Sequence, residues 1–215
     1  MANASILSYL TLGALVLSMT MNLGPMLSRE QDIGFCATVN GRSIDVFSQK
    51  GGKGAFVPSP PFCPGDVVFL YANVTYSEWP EQNSDVAFQI LDPPQDSFVL
   101  YGRTNASGVA EVSLCLPSPE HVDCVFGTWK VIASVDIAEV VVDDTLEFQV
   151  KWNLADVNAD WKVNVYDVVL ASHAYASTPP DPPWNPNCDM TKPYGIIDIY
   201  DMAVIATNYG KKHTP

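Results

Sequence analysis

The chain has 215 residues, of which 47% are hydrophobic and 16% charged, and it carries a net charge of −13 from 11 basic and 24 acidic side chains. That is too apolar for a disordered polymer and long enough for one full domain plus a small one. The acidic excess argues against nucleic acid as a partner, because phosphate contacts need clustered Lys and Arg, and it favours cations.

The first element is an uncharged apolar run, "ILSYLTLGALVLSMTM" at residues 6–21, continuing through "NLGPML" to residue 27. No Lys or Arg precedes Arg29 and no small-x-small cleavage site follows, so the segment departs from a secretory signal peptide. Over residues 6–27 it reaches the ~20 apolar residues that cross a bilayer. A signal peptide, a membrane anchor and a retained assembly segment therefore all stay open for residues 1–28, and with them membrane contact through residues 6–27. Leu, Ala and Met make this segment helical by composition.

Five cysteines, none in a CxxC pair, disfavour zinc. In an exported chain they would form disulfides, and the expected pairings are Cys36 with Cys63 and Cys115 with Cys124, leaving Cys188 over. N-x-Ser/Thr acceptors at Asn73 and Asn105 agree with export and mark glycosylation candidates.

From residue 29 to 152 the chain reads as seven short β-rich runs broken by Gly, Pro and Asn. In "DVVFLYANVTY" the alternation puts Val68, Leu70, Ala72 and Val74 on the core face and Asn73 outward. "VDIAEVVVDDT" reads as a hairpin between the last two runs. The stretches "PGDVVFLYANVTY", "RTNASGVAEVSL", "FGTWKVIASV" and "DTLEFQV" resemble the immunoglobulin-like, macroglobulin-type β-domains of prokaryotic surface proteins. The resemblance implies a sandwich acting as spacer, adhesive surface or building block.

Residues 153–215 differ in kind. "LADVNADWKVNVYDVVLASHAY" places Asp156, Asn158, Asp160, the Lys162 carbonyl, Asn164 and Asp167 at positions 1, 3, 5, 7, 9 and 12 of a loop that runs into an apolar helix. Alternate oxygen donors of this kind wrap a hard cation in the EF-hand loop. The design recurs 34 residues later, where "IDIYDMAVIATNYG" aligns with "VNVYDVVLASHAYA". With one extra residue allowed, the second loop offers Asp189, Thr191, the Ile196 carbonyl, Asp198 and Asp201. The proline-rich "STPPDPPWNPN" between the copies reads as a rigid connector.

Two loop-plus-helix units joined in this way resemble a dockerin, the duplicated calcium-binding module of cellulosomes, which also occurs in archaeal surface proteins. The resemblance implies Ca²⁺ as cofactor, at the first loop and with a second site at the other, and attachment to a partner surface protein. The sequence departs from the pattern at Trp161, where position 6 normally holds Gly, and at the irregular second loop. The first loop is the stronger calcium candidate by spacing.

No GxSxG, HExxH or phosphate-binding loop appears, and His121, His173 and His213 are scattered, so no enzyme is expected. The sequence-level expectation is mainly β: a seven-stranded immunoglobulin-like sandwich with an apolar N-terminal segment and a small α-helical dockerin-like EF-hand pair. Its expected role is that of an extracellular or cell-surface structural protein that self-associates into a filament or pilus-like assembly stabilised by calcium. The alternative is a recognition module that attaches the sandwich to a surface partner.

Overall fold

The computed structural model describes residues 37–118 and 125–213. The apolar N-terminal run, Cys36, His121 and Cys124 lie outside the described residues. Among those described, the chain is mainly β, with two antiparallel sheets followed by two helices.

The strands are β1 (Ala37–Val39), β2 (Arg42–Ser48), β3 (Val67–Tyr76), β4 (Trp79–Pro80), β5 (Asp85–Leu91), β6 (Ser97–Arg103), β7 (Val109–Cys115), β8 (Gly127–Ile137) and β9 (Val140–Val150). The seven expected runs thus become nine strands. The run "ATVNGRSIDVFSQ" folds back on itself as β1 and β2, and the short β4 was not read from the sequence at all. Both additions come from tight turns: Asn40–Gly41 and Ser77–Glu78 each put two consecutive residues at positive φ, as Ala138–Glu139 does between β8 and β9. That geometry closes two-residue hairpins with the right-handed twist of strands. Asn-Gly announces it; Ser-Glu and Ala-Glu do not.

One sheet runs β1-β2-β3, with β7 and the short β4 both pairing on β3; the other runs β6-β5-β8-β9. Strict alternation in β3 buries Val68, Leu70, Ala72 and Val74 completely, against Val86, Phe88 and Ile90 of β5 and Val131, Ala133 and Val135 of β8 in one core. Phe148 is wedged between Phe62, 5.2 Å away and edge-on, and Trp129, stacked at 6.3 Å. The Trp129 indole N–H is satisfied by the Val125 carbonyl at 2.9 Å. Asn73 lies half-buried on the outer side of β3 and Asn105 is exposed in a turn.

A second, separate apolar cluster sits beyond β9. It gathers Ala155, Val157, Val163, Ala171, Ala174, Cys188, Met190, Ile197 and Ile205 around helices α1 (Val165–His173) and α2 (Ile199–Asn208). The proline-rich connector between them forms no α-helix, only a 3-10 turn at Pro186–Cys188. No helix among the described residues is long and apolar enough to cross a membrane.

Truncating the ring at the centre of the sandwich tests this packing. Phe148→Ala should lower stability by about 3–5 kcal/mol in urea unfolding, the cost of removing a fully buried aromatic.

Candidate metal loops

Each helix starts with the same device. Asn164 caps α1 by accepting the Tyr166 N–H (2.8 Å) while Asp167 reaches back to the Asn164 N–H (2.7 Å). In α2, Asp198 accepts from Tyr200 (2.7 Å) and Asp201 accepts from Asp198 (2.9 Å). These are capping boxes in which the shorter Asp stands in place of the usual Glu or Gln. They fix the two residues that the spacing assigns to loop positions 9 and 12.

The copies then bind each other through matched main-chain pairs. Val163 N–H donates to Lys211 O (2.9 Å) and Gly210 N–H to Val163 O (2.9 Å); Ile197 N–H donates to Ser177 O (3.2 Å) and Ala176 N–H to Ile197 O (2.8 Å). Each bond has its counterpart 34 residues away. The duplication in sequence is a two-fold relation in structure.

Both loops are organised by two buried aspartates aimed at loop amides. In the first, Asp156 accepts from Asp160 N–H (3.1 Å) and Trp161 N–H (2.9 Å), and Asp167 accepts from Val157 N–H (2.8 Å) and Asn158 N–H (3.3 Å). In the second, Asp189 accepts from Gly195 N–H (2.6 Å), and Asp201 accepts from Met190 N–H and Thr191 N–H, each at 2.8 Å. With one extra residue allowed between Asp189 and Gly195, the bonds from Trp161, Val157 and Asn158 have counterparts from Gly195, Met190 and Thr191, and the bond from Asp160 N–H to Asp156 has none. Trp161 and Gly195 occupy equivalent places, and both have positive φ, 68° and 98°.

Trp161 is strained where a glycine would not be, by about 1 kcal/mol or more, and its surroundings explain why it is held. Its ring packs edge-on to Phe126 of the sandwich (5.2 Å) and stacks with His213 (5.2 Å), which in turn stacks with Trp152 (5.6 Å). The Trp161 carbonyl accepts the His213 N–H at 3.0 Å. Lys151, at the end of β9, adds a second tie: its buried Nζ donates to the carbonyls of Asp156 (2.9 Å) and Val157 (2.8 Å). Burial lowers the Lys151 ammonium to about 8, against the pull of Asp156 and Asp167. Trp152 Nε1 donates to Asp156 Oδ2 at 2.7 Å. Sequence reasoning missed Lys151 and His213, since a lysine ending a strand and a histidine in a tail carry no local signal.

Asp156, Asp167, Asp189 and Asp201 are all fully buried. Among the described residues no three His, Cys, Asp or Glu side chains form a ready-made metal group, so a cation here would draw also on amide, hydroxyl or main-chain oxygens. Asn158, Asp160 and Asn164 are linked through Asp160 Oδ2, to Asn158 Nδ2 at 3.1 Å and Asn164 Nδ2 at 3.4 Å, and Thr191 Oγ1 donates to Asp201 Oδ1 at 3.0 Å. Asp189 Oδ1 has no hydrogen-bond partner at all although it is buried. Burial drives this carboxyl up to about 7, with Asp201 and Asp198 adding to the rise and the Gly195 N–H opposing it. A buried carboxylate oxygen without a donor is what a hard cation satisfies, and the loop chemistry, oxygen throughout, fits one. The unpaired buried oxygen lies in the second loop, which the spacing ranks below the first.

Cys188 occupies the place that Ala155 takes in the first copy, directly before the first aspartate; it is buried, and burial pushes its thiol up to about 12. It is a core residue. Cys63, Cys115 and Cys188 are free thiols in this structure. The partners expected for the first two, Cys36 and Cys124, lie outside the described residues, so neither pairing gains support.

No family model matches the chain, and no curated protein does. Among solved structures it is similar, at 15% identity and TM-score 0.37, to a tetra-tandem repeat in the extending region of a large adhesion protein, with 52% of this chain and 24% of that one covered. A DUF4785 family protein from Legionella pneumophila gives the same identity and TM-score over 51% of this chain and 29% of that one. The PmoD soluble domain from Methylocystis follows at 10% identity and TM-score 0.33, over 54% and 97%. The chain spans about a quarter of the length of the first two. Likenesses this distant decide neither family nor function.

Two substitutions probe the loops. Lys151→Met leaves two buried carbonyls without a donor and should cost about 2 kcal/mol or more in chemical unfolding. Asp189→Asn removes a buried charge at the expense of one unpaired amide N–H. In chelator it should melt no lower than the parent, and in millimolar calcium its rise in Tm should be smaller than the one expected of the parent.

Proposed function

We propose that this chain is a non-catalytic, exported structural protein, a subunit of a surface filament, whose C-terminal dockerin-like module is stiffened by calcium. Two facing antiparallel sheets support the immunoglobulin-like reading of the sandwich. The observation that carries the calcium part is the orphaned, fully buried Asp189 Oδ1 inside a loop that repeats the amide-binding scheme of the first. The structural role draws support from the way the first loop is tied to the end of β9 by Lys151 and Trp152: such a junction stiffens the passage from sandwich to loop, which a load-bearing subunit needs and a flexible tether does not.

In the calcium-bound protein, Asp189, Thr191, Asp198 and Asp201 would hold one ion, and Asp156, Asn158, Asp160, Asn164 and Asp167 another, with the Lys162 and Ile196 carbonyls contributing. The ion supplies the positive charge that the buried carboxylates lack. The chain's own part is to hold those carboxylates in place through the loop amides.

A second reading, the recognition module, is favoured by one feature. The exposed apolar residues of the helices come in matched pairs, Val165 with Ile199, Tyr166 with Tyr200 and, just beyond the helices, Tyr175 with Tyr209. A surface of that kind suits a partner domain on another protein.

Electron microscopy of the native secreted material, with and without chelator, separates the two. Ordered fibres in calcium that soften or fragment in chelator are expected. Dispersed monomers, each bound to one partner protein, would retire the filament reading in favour of the recognition module.

A further inference from the structure

Sheet edges are where a β-protein is open to another chain, because an outermost strand carries unpaired N–H and C=O groups. In the four-stranded sheet the β9 edge is covered: the Ser59 and Phe62 N–H groups donate to the Glu147 and Gln149 carbonyls, and Lys151 N–H donates to Phe62 O. Among the described residues no backbone hydrogen bond of this kind reaches the outer side of β6.

The usual protections of an edge are also missing from β6. Ser97–Arg103 contains no proline, no lysine and no acid. Its side chains are apolar and wet: Phe98 is 42% exposed, Val99 43% and Tyr101 76%. Phe98 pairs in register with the fully buried Ile90, so it lies on the core-facing side of the sheet and is still left uncovered. The core is open at the Phe98 end of this strand, whereas Leu100 packs on the core and Gly102 lies against Glu111 and Val112 of β7.

We propose that β6 is a homotypic docking strand, at which a second copy of the chain adds antiparallel through its own β6, joining two four-stranded sheets into one. Charge and register select this occupant. Two chains of net charge −13 repel each other over most of their surfaces. The β6 strand carries a single charge, the Arg103 guanidinium, while acids lie just before it at Asp92 and Asp96. Antiparallel pairing sets the Arg103 end of each strand against the Asp96 end of the other, twice per contact.

Outward-facing amides fall on alternate residues, the same set in both copies, which restricts the register to steps of two. Centred on Leu100, the pairing opposes Phe98 to Gly102 and Val99 to Tyr101. The Val99–Tyr101 pair is an aromatic–β-branched one of the kind that stabilises antiparallel ladders. No like charges face each other.

This contact deepens the self-association in the proposed function and rests on it only for its role in a filament. A two-fold contact closes a dimer, so fibre growth needs a further contact elsewhere.

The test uses the full-length chain, with light scattering for the association constant and hydrogen exchange for β6. Arg103→Glu and Asp96→Lys should each weaken the dimer about tenfold, and the two together should restore it. Arg103 also pairs with Asp85 at 3.2 Å, but both side chains are largely exposed; should Arg103→Glu unfold, Tyr101→Lys on the exposed face must disrupt the dimer instead. The Ser97–Arg103 amides should slow on association. A monomeric chain, a dimer indifferent to these changes, or β6 amides that exchange equally fast in both states overturns the contact. Fibres whose β6 amides exchange freely overturn it and leave the filament reading standing; a β6 dimer that never forms fibres does the reverse.

Discussion

The C-terminal module depends on one constraint: four aspartate carboxylates are buried, and each must be paid for by something positive. Amide N–H groups meet most of the demand, since a carboxylate accepting several of them stays close to satisfied. They also set the backbone path, because a loop whose amides all point at one carboxylate has few conformations left. In the first loop this suffices for both oxygens of Asp156. In the second it does not, and Asp189 keeps one oxygen bare. A thin core of small residues such as Ala155, Ala171 and Ala174 has little apolar surface with which to offset that cost. An added cation would therefore act on folding as much as on binding.

The sandwich reaches into this arrangement from one side. Lys151 belongs to the end of β9 by sequence and to the first loop by its bonds, and Phe126 does the same for the aromatic stack of Trp161, His213 and Trp152. The Lys151 ammonium is held by the Asp156 and Val157 carbonyls and makes no ion pair with a loop carboxylate, whose oxygens accept loop amides instead. The direction in which the module leaves the sandwich is thus set by buried contacts, which is the property a structural subunit would exploit.

How far this was legible in the sequence varies with the range of the interaction. The alternation of Val68, Leu70, Ala72 and Val74 fixes a strand face because period two is a local property; the 34-residue repeat sets Asp167 opposite Asp201, and Asp156 falls opposite Asp189 only with one residue inserted. The alignment carried one step further would have placed Cys188 opposite Ala155 and explained the odd cysteine as core. The hairpin over Ala138–Glu139 was legible from the two β-rich runs that flank it, whereas the turn at Ser77–Glu78, which has no Gly, left no sign beforehand. Nor did the role of Trp161: a bulky residue at a position that wants Gly reads as a defect until Phe126 and His213 are seen around it. The bare oxygen of Asp189 depends on which amides three-dimensional folding delivers, which spacing does not show. The open edge at β6 is likewise a matter of neighbours.

The central claim is that buried carboxylates in both loops turn to a shared demand for a hard cation. Amide NMR spectra of the full-length chain, recorded as calcium is added from zero to millimolar, test it most directly. The account predicts that Met190, Thr191 and Gly195 shift or sharpen together with Val157, Asp160 and Trp161, while amides of the sandwich core such as Val131 stay fixed. Spectra in which none of these loop amides moves at millimolar calcium would contradict it.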